Sequence, residues 1–226
     1  MAENELKQRV EMVQERIQAA CDRAGRGYDS VELVAVTKTK PVKLLQALID
    51  AGITSLGENR VNEIVEKVPL LKGTFTMHMI GHLQTNKVAR VLPFVHMVQS
   101  VDRERLIEYI NRLLPESHIL PVLVEVNTSG ETSKNGCAPE EARKLLELLV
   151  KSEKCEPRGF MTIGPLYGDE TATRQSFSQL REIAEENRDL IDEPVLSMGM
   201  SDDFEWAIEE GATMVRVGSL LCGGRG

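Results

Sequence analysis

The chain has 226 residues, with 27 Lys+Arg against 35 Asp+Glu and a net charge of −8. That balance speaks against a general nucleic-acid binder, and apolar residues spread along the whole chain exclude disorder. No apolar run approaches the ~18 residues of a membrane span, and the charged start MAENELKQRV lacks the apolar core of a signal peptide, so a cytoplasmic protein with no membrane contact is expected.

Residues 5–24 read as a helix, with Leu6, Val10, Val13, Ile17 and Ala20 at helical spacing. The run Val31–Val36 reads as a strand. A strand–helix alternation follows. Strands are expected at 53–56, 75–80, 95–99, 119–126, 158–163, 195–198 and 213–217. Helices are expected at 42–51, 58–68, 84–92, 102–114, 139–151, 171–187 and 202–209. Strands joined by helical crossovers build a parallel sheet, and eight of them predict a closed (β/α)8 TIM barrel with one extra N-terminal helix. An open doubly wound sheet is the alternative, although no G-x-G-x-x-G follows the first strand. One domain over 1–226 is expected.

Cys21, Cys137, Cys155 and Cys222 form no C-x-x-C pair and read as thiols in a reducing compartment. His78 and His82 straddle a strand end without the Glu of H-E-x-x-H, so no metal site is expected. Serine-hydrolase chemistry lacks its G-x-S-x-G elbow.

In a barrel the chemistry sits at the C-terminal ends of strands. There, Lys38 shares strand parity with Val34 and Val36, which aims it into the barrel mouth. A partly desolvated lysine beside another cation, here Lys40, has a lowered pKa and suits Schiff-base formation. The alternative is a loop lysine reaching water. Across the mouth, the loops after strands seven and eight offer Ser201, Gly218, Ser219, Gly223 and Gly224 as a phosphate cradle, with Arg216 inside the last strand. Alternatively, Ser201 is an ordinary helix N-cap. Together these features outline a site for a phosphorylated carbonyl compound.

The runs Ala35–Pro41, Gly57-Glu58-Asn59, His78–Lys87 (HMIGHLQTNK), Ser197–Asp203 and Val215–Ser219 match one pattern in order. The sequence resembles the YggS/PROSC family of pyridoxal 5'-phosphate (PLP) homeostasis proteins over essentially its whole length. Met77 departs from the family's usual aromatic residue. The resemblance implies a barrel like the N-terminal domain of fold-type III PLP enzymes such as alanine racemase. It implies that Lys38 carries PLP as an internal aldimine. It puts the phosphate on Ser201 and on the Gly218 and Ser219 backbone, Arg216 near the pyridine nitrogen, and Asn59 and His82 beside the cofactor. It implies a carrier in vitamin B6 homeostasis, with PLP-dependent apoenzymes as the recipients to expect; since one barrel completes the site without a second domain, a monomer is expected. A racemase-like enzyme is the second reading. No catalytic residue is assigned firmly, and Tyr167 is the one tyrosine expected in a top-face loop. An aldolase acting on a sugar phosphate through Lys38 is a third reading.

Overall fold

The computed structural model describes residues 3–224. Helix α1 (Glu3–Arg23) buries the whole predicted stripe, Leu6, Val10, Val13, Ile17 and Ala20. It lies against α8 (Phe204–Glu209) and α9 (Ser219–Cys222). Arg16 pairs with Glu205 at 3.1 Å and Arg23 with Glu209 at 2.6 Å. Such half-exposed pairs are worth about 0–1 kcal/mol each. The buried stripe, at about 1.5–3 kcal/mol per large side chain, is the stronger attachment.

Eight parallel strands follow: β1 (Glu32–Val36), β2 (Ser55–Glu58), β3 (Thr76–Met79), β4 (Met97–Val101), β5 (Leu120–Glu125), β6 (Cys155–Met161), β7 (Val195–Ser197) and β8 (Met214–Val217). Each pairs with the next, and β8 pairs back onto β1 through Val34↔Arg216, so the sheet is closed. Closure excludes the open doubly wound arrangement. Helices α2 (Val42–Asp50), α3 (Val61–Lys67), α4 (Val88–Val91), α5 (Glu104–Leu113), α6 (Ala142–Val150) and α7 (Glu170–Glu186) form the outer ring with α8.

Strand alternation divides the apolar residues into two layers. Leu56, Ile64, Leu106, Phe160 and Phe177 pack in the continuous core between strands and helices. Val34, Val36, Ile80, Leu123, Met161 and Met214 are buried apart from that core and share parity with the barrel interior. Gly57 confirms the inward parity of β2: a Cβ there would meet Ile80 Cδ1 and Val34 Cγ1 at 3.0 Å.

Several boundaries differ from the sequence expectation. Glu58, read as the first residue of a helix, is the last residue of β2, and α3 starts at Val61. The helix expected over 84–92 is a 3-10 turn, Thr85–Lys87, followed by the single turn α4. Strand β6 starts at Cys155, ahead of Pro157, where apolar alternation is absent. The β5–β6 register shifts between Val122 and Leu123. Gly159 follows at φ 141°, where a Cβ would lie 2.1 Å from Val195 O. Helix α8 begins at Phe204 instead of Asp202, and α9 has no counterpart in the sequence reading.

Candidate functional site

The turn after β1 is tight. Lys40 N–H donates to Thr37 O at 3.1 Å, which puts Lys38 and Thr39 at the two central positions. Lys38 is partly buried. Thr39 has φ 64°, rare for a β-branched residue. Beneath the turn lies an ionic cluster. Lys67, 8% exposed, meets Glu58, fully buried, at 2.8 Å and Glu63 at 2.6 Å. Lys67 Nζ also donates to Thr37 O at 3.2 Å, Thr37 Oγ1 donates to Glu58 Oε1 at 2.8 Å, and Thr39 N–H donates to Glu63 Oε2 at 2.7 Å. The Lys40 ammonium donates to Gly224 O at 2.7 Å.

Arg216 projects from β8 into the barrel, 4% exposed. Its Nη1 donates to Ser197 Oγ and its Nη2 to Thr162 O, both at 2.7 Å. Burial brings its pKa down to about 10, against the pull of Asp203 and Glu125, so it remains a cation at neutral pH. A hydrogen-bonded chain runs from it around the interior. Ser197 Oγ meets Gln99 Oε1 at 2.7 Å, Gln99 Nε2 meets His78 Nδ1 at 2.8 Å, and His78 Nε2 meets Thr76 Oγ1 at 3.1 Å. Thr76 Oγ1 meets Ser55 Oγ at 3.0 Å, and Ser55 donates to Glu32 Oε1. A guanidinium only donates and a carboxylate only accepts. Every link between them therefore donates away from Arg216, and His78 is the Nε2–H tautomer. Burial lowers the His78 pKa to about 4, which keeps its Nδ1 an acceptor. The chain polarises in one sense and holds the guanidinium at a fixed place under the mouth.

In the loop after β7, whose neighbour β8 pairs with β1, Ser201 does not cap a helix. Its Oγ accepts from Gly218 N–H at 3.1 Å, which leaves the hydroxyl hydrogen available to an anion. Asp203 holds the N-cap position of α8, but its carboxylate turns back into the loop and accepts from Met200 N–H at 2.5 Å. Gly199 sits at φ 90°, where a Cβ would come within 2.6 Å of Ala207 Cβ. Its carbonyl accepts from Arg216 N–H at 2.9 Å, locking the loop to β8. A bare backbone, one hydroxyl and a nearby guanidinium fit a phosphate ester with an aromatic ring nitrogen, the donor set such a group requires.

Asn59 and His82 share a cavity of about 290 Å³ with Arg60, Val61, Asn62, Gln84 and Lys87. Lys38, Ser201 and Arg216 are not among its lining residues. Asn59 Oδ1 is buried with no partner among the described residues. His82 is held by Asp102, Nδ1 to Oδ2 at 3.2 Å. Tyr167 stands 93% exposed in the loop after β6.

Sequence reading missed Glu125, which ends β5 at the inward parity of Leu123. It is 4% exposed, and its Oε2 has no partner among the described residues. Burial, then the charge of Asp102, push its pKa up from 4.5 to about 7, against Arg216 and Arg103. The folded chain thus binds this proton more tightly than the unfolded one, so the Glu125 contribution to stability falls as pH rises from about 4.5 to about 7. His78 has the opposite slope below pH 6.5, and that slope is shared by parent and variant. Glu125→Gln is expected to raise stability at pH 8 by ~1–3 kcal/mol more than at pH 4.5. Urea denaturation at both pH values checks this, and an equal gain at both would contradict it.

The alanine racemase N-terminal domain model matches residues 9–226. A protein of Aquifex aeolicus named pyridoxal phosphate homeostasis protein is 41% identical over 222 residues, covering 96% of this chain and 97% of its own. A solved protein of Bifidobacterium adolescentis superposes with a TM-score of 0.91 at 38% identity, over 97% of this chain and 95% of that one. PipY of Synechococcus elongatus, solved with PLP bound, gives 0.80 at 31% identity, over 92% and 99%. Among the described residues no helix is long and apolar enough to cross a membrane.

Proposed function

The chain belongs to the pyridoxal phosphate homeostasis protein family, built on the alanine racemase N-terminal domain, and on that premise we propose that it binds PLP and holds it for intracellular vitamin B6 homeostasis. The observation that carries this reading is the convergence on one barrel mouth of a lysine-bearing turn, a buried guanidinium and a bare-backbone anion cradle. Bound PLP supplies an aldehyde that condenses with a neutral amine, losing water.

Lys38 provides that amine from a turn fixed on both sides. Ser201 Oγ–H and Ser219 N–H take the phosphate, while Gly218, whose N–H is donated to Ser201 Oγ, holds that hydroxyl in place and leaves bare backbone beside the anion. Arg216, already a cation, faces the ring nitrogen as a donor and disfavours its protonation. An unprotonated ring is a poor electron sink, which favours holding and passing on the cofactor over amino-acid turnover. Asn59 and His82 border the cofactor from the cavity beside the mouth. Recipient apoenzymes, a monomeric state, a cytoplasmic location and the absence of nucleic-acid binding belong to the same reading. So does a single functional domain over 1–226, while Tyr167, out in solvent, takes no catalytic role.

Titration with PLP should saturate at one per chain, with a visible absorbance band. Ser201→Ala should weaken binding roughly 10- to 150-fold, since a hydrogen bond to a charged group is worth ~1.5–3 kcal/mol. Unchanged affinity would remove Ser201 from the phosphate site.

A further inference from the structure

We propose that Lys67, Glu58 and Glu63 form a clamp that positions Lys38 and sets how long the chain keeps its PLP. The proposal rests on the reading of Lys38 as the PLP lysine. A buried lysine with two carboxylates is costly to desolvate and is weak evidence for a stability role. What the cluster does with its hydrogen bonds is more specific. Lys67 Nζ binds Thr37 O at 3.2 Å, and Glu58 Oε1 takes the Thr37 hydroxyl at 2.8 Å. Glu63 Oε2 takes the Thr39 N–H at 2.7 Å. The two residues anchored are the immediate neighbours of Lys38, one on each side.

Thr39 gives the clamp its meaning. A threonine at φ 64° sits in a region that its branched Cβ disfavours. Thr39 is exposed, so no core packing imposes that conformation. The turn bond from Lys40 N–H to Thr37 O spans Thr39 without touching it, and the charge-assisted bond to Glu63 is the restraint on Thr39's own backbone. Without that bond the turn relaxes toward extended backbone and the root of Lys38 rotates with it. An amine displaced by even a fraction of an ångström loses the orientation that makes its bond to the aldehyde favourable. Lys67, Glu58 and Glu63 are positioning residues, acting through the backbone.

The test uses the whole chain loaded with PLP. The rate of PLP loss after gel filtration is followed by the visible band and by the fraction of Lys38 fixed by borohydride. Glu63→Ala is expected to lose PLP about tenfold faster. Adding Thr39→Gly should recover most of that loss, because glycine occupies positive φ without strain. A glycine at 39 would not repair a general destabilisation of α3. A parent-like rate in Glu63→Ala, or no recovery in the double variant, would overturn the clamp while leaving Lys38 in place. A parent labelled at a lysine other than 38 would overturn the reading of Lys38 and the clamp with it.

Discussion

Lys38→Ala is expected to abolish the visible band and the borohydride-stable pyridoxyl mass while leaving the fold intact. Lys38 is partly buried on a turn whose backbone is held by Thr37, Thr39 and Lys40. Truncating it leaves that backbone in place and should cost about 1 kcal/mol of stability, the centre of the range for single substitutions. PLP would then be held by its phosphate and ring contacts alone and be lost on gel filtration. Absorbance and urea denaturation of the same sample separate the two effects. A band persisting at parental strength would assign the amine to another lysine, and a collapsed fold would mean that Lys38 is structural.

The second large effect concerns Lys67. Lys67→Met keeps the apolar stem and leaves Glu58, fully buried, without its cation. Breaking one side of a buried pair costs about 3–5 kcal/mol. Burial already pushes the Glu58 carboxyl above its ordinary value even with Lys67 opposing. Without the ammonium, Glu58 would take up a proton on folding. A raised folded-state value favours the folded chain at low pH and loses that advantage as pH rises past the ordinary carboxylate range. The cost of Lys67→Met should therefore be smaller at pH 5 than at pH 8. Adding Glu58→Gln should return most of it, because it removes the fully buried orphaned charge, while Glu63 keeps the Thr39 N–H and Arg60. Denaturant midpoints of the single and double variants at both pH values check this, and a cost independent of pH and of Glu58 would contradict it.

The barrel was legible because strands such as β1, β4, β5 and β8 carry β-branched apolar runs, and helical stripes bounded by glycine or proline separate successive strands. Parity along Val34, Val36 and Lys38 was enough to single out the lysine, and Arg216 stood out as a charge within the apolar run Met214–Val217. The misplaced boundaries fall where that signal fails. Glu58 is polar yet buried at a strand end, β6 carries Pro157, and α9 is one turn long.

Lys67 was invisible for a different reason. At the end of an amphipathic helix a lysine reads as solvated, and its partners at 37 and 58 lie on other elements. The chain from Arg216 to Glu32 was equally hidden, because the Ser197–Gln99 contact joins residues 98 apart. Short-range patterns report which face a residue takes. Pairings across the barrel depend on closure, which periodicity does not encode.

The central claim is that Lys38 is the amine that holds PLP in this barrel. Loading the chain with PLP, reducing it with borohydride and mapping the peptides tests it directly. One pyridoxyl group on Lys38 in each chain is the expected result. A group on Lys40 or any other lysine, or bound PLP that leaves no covalent mark at all, would contradict it.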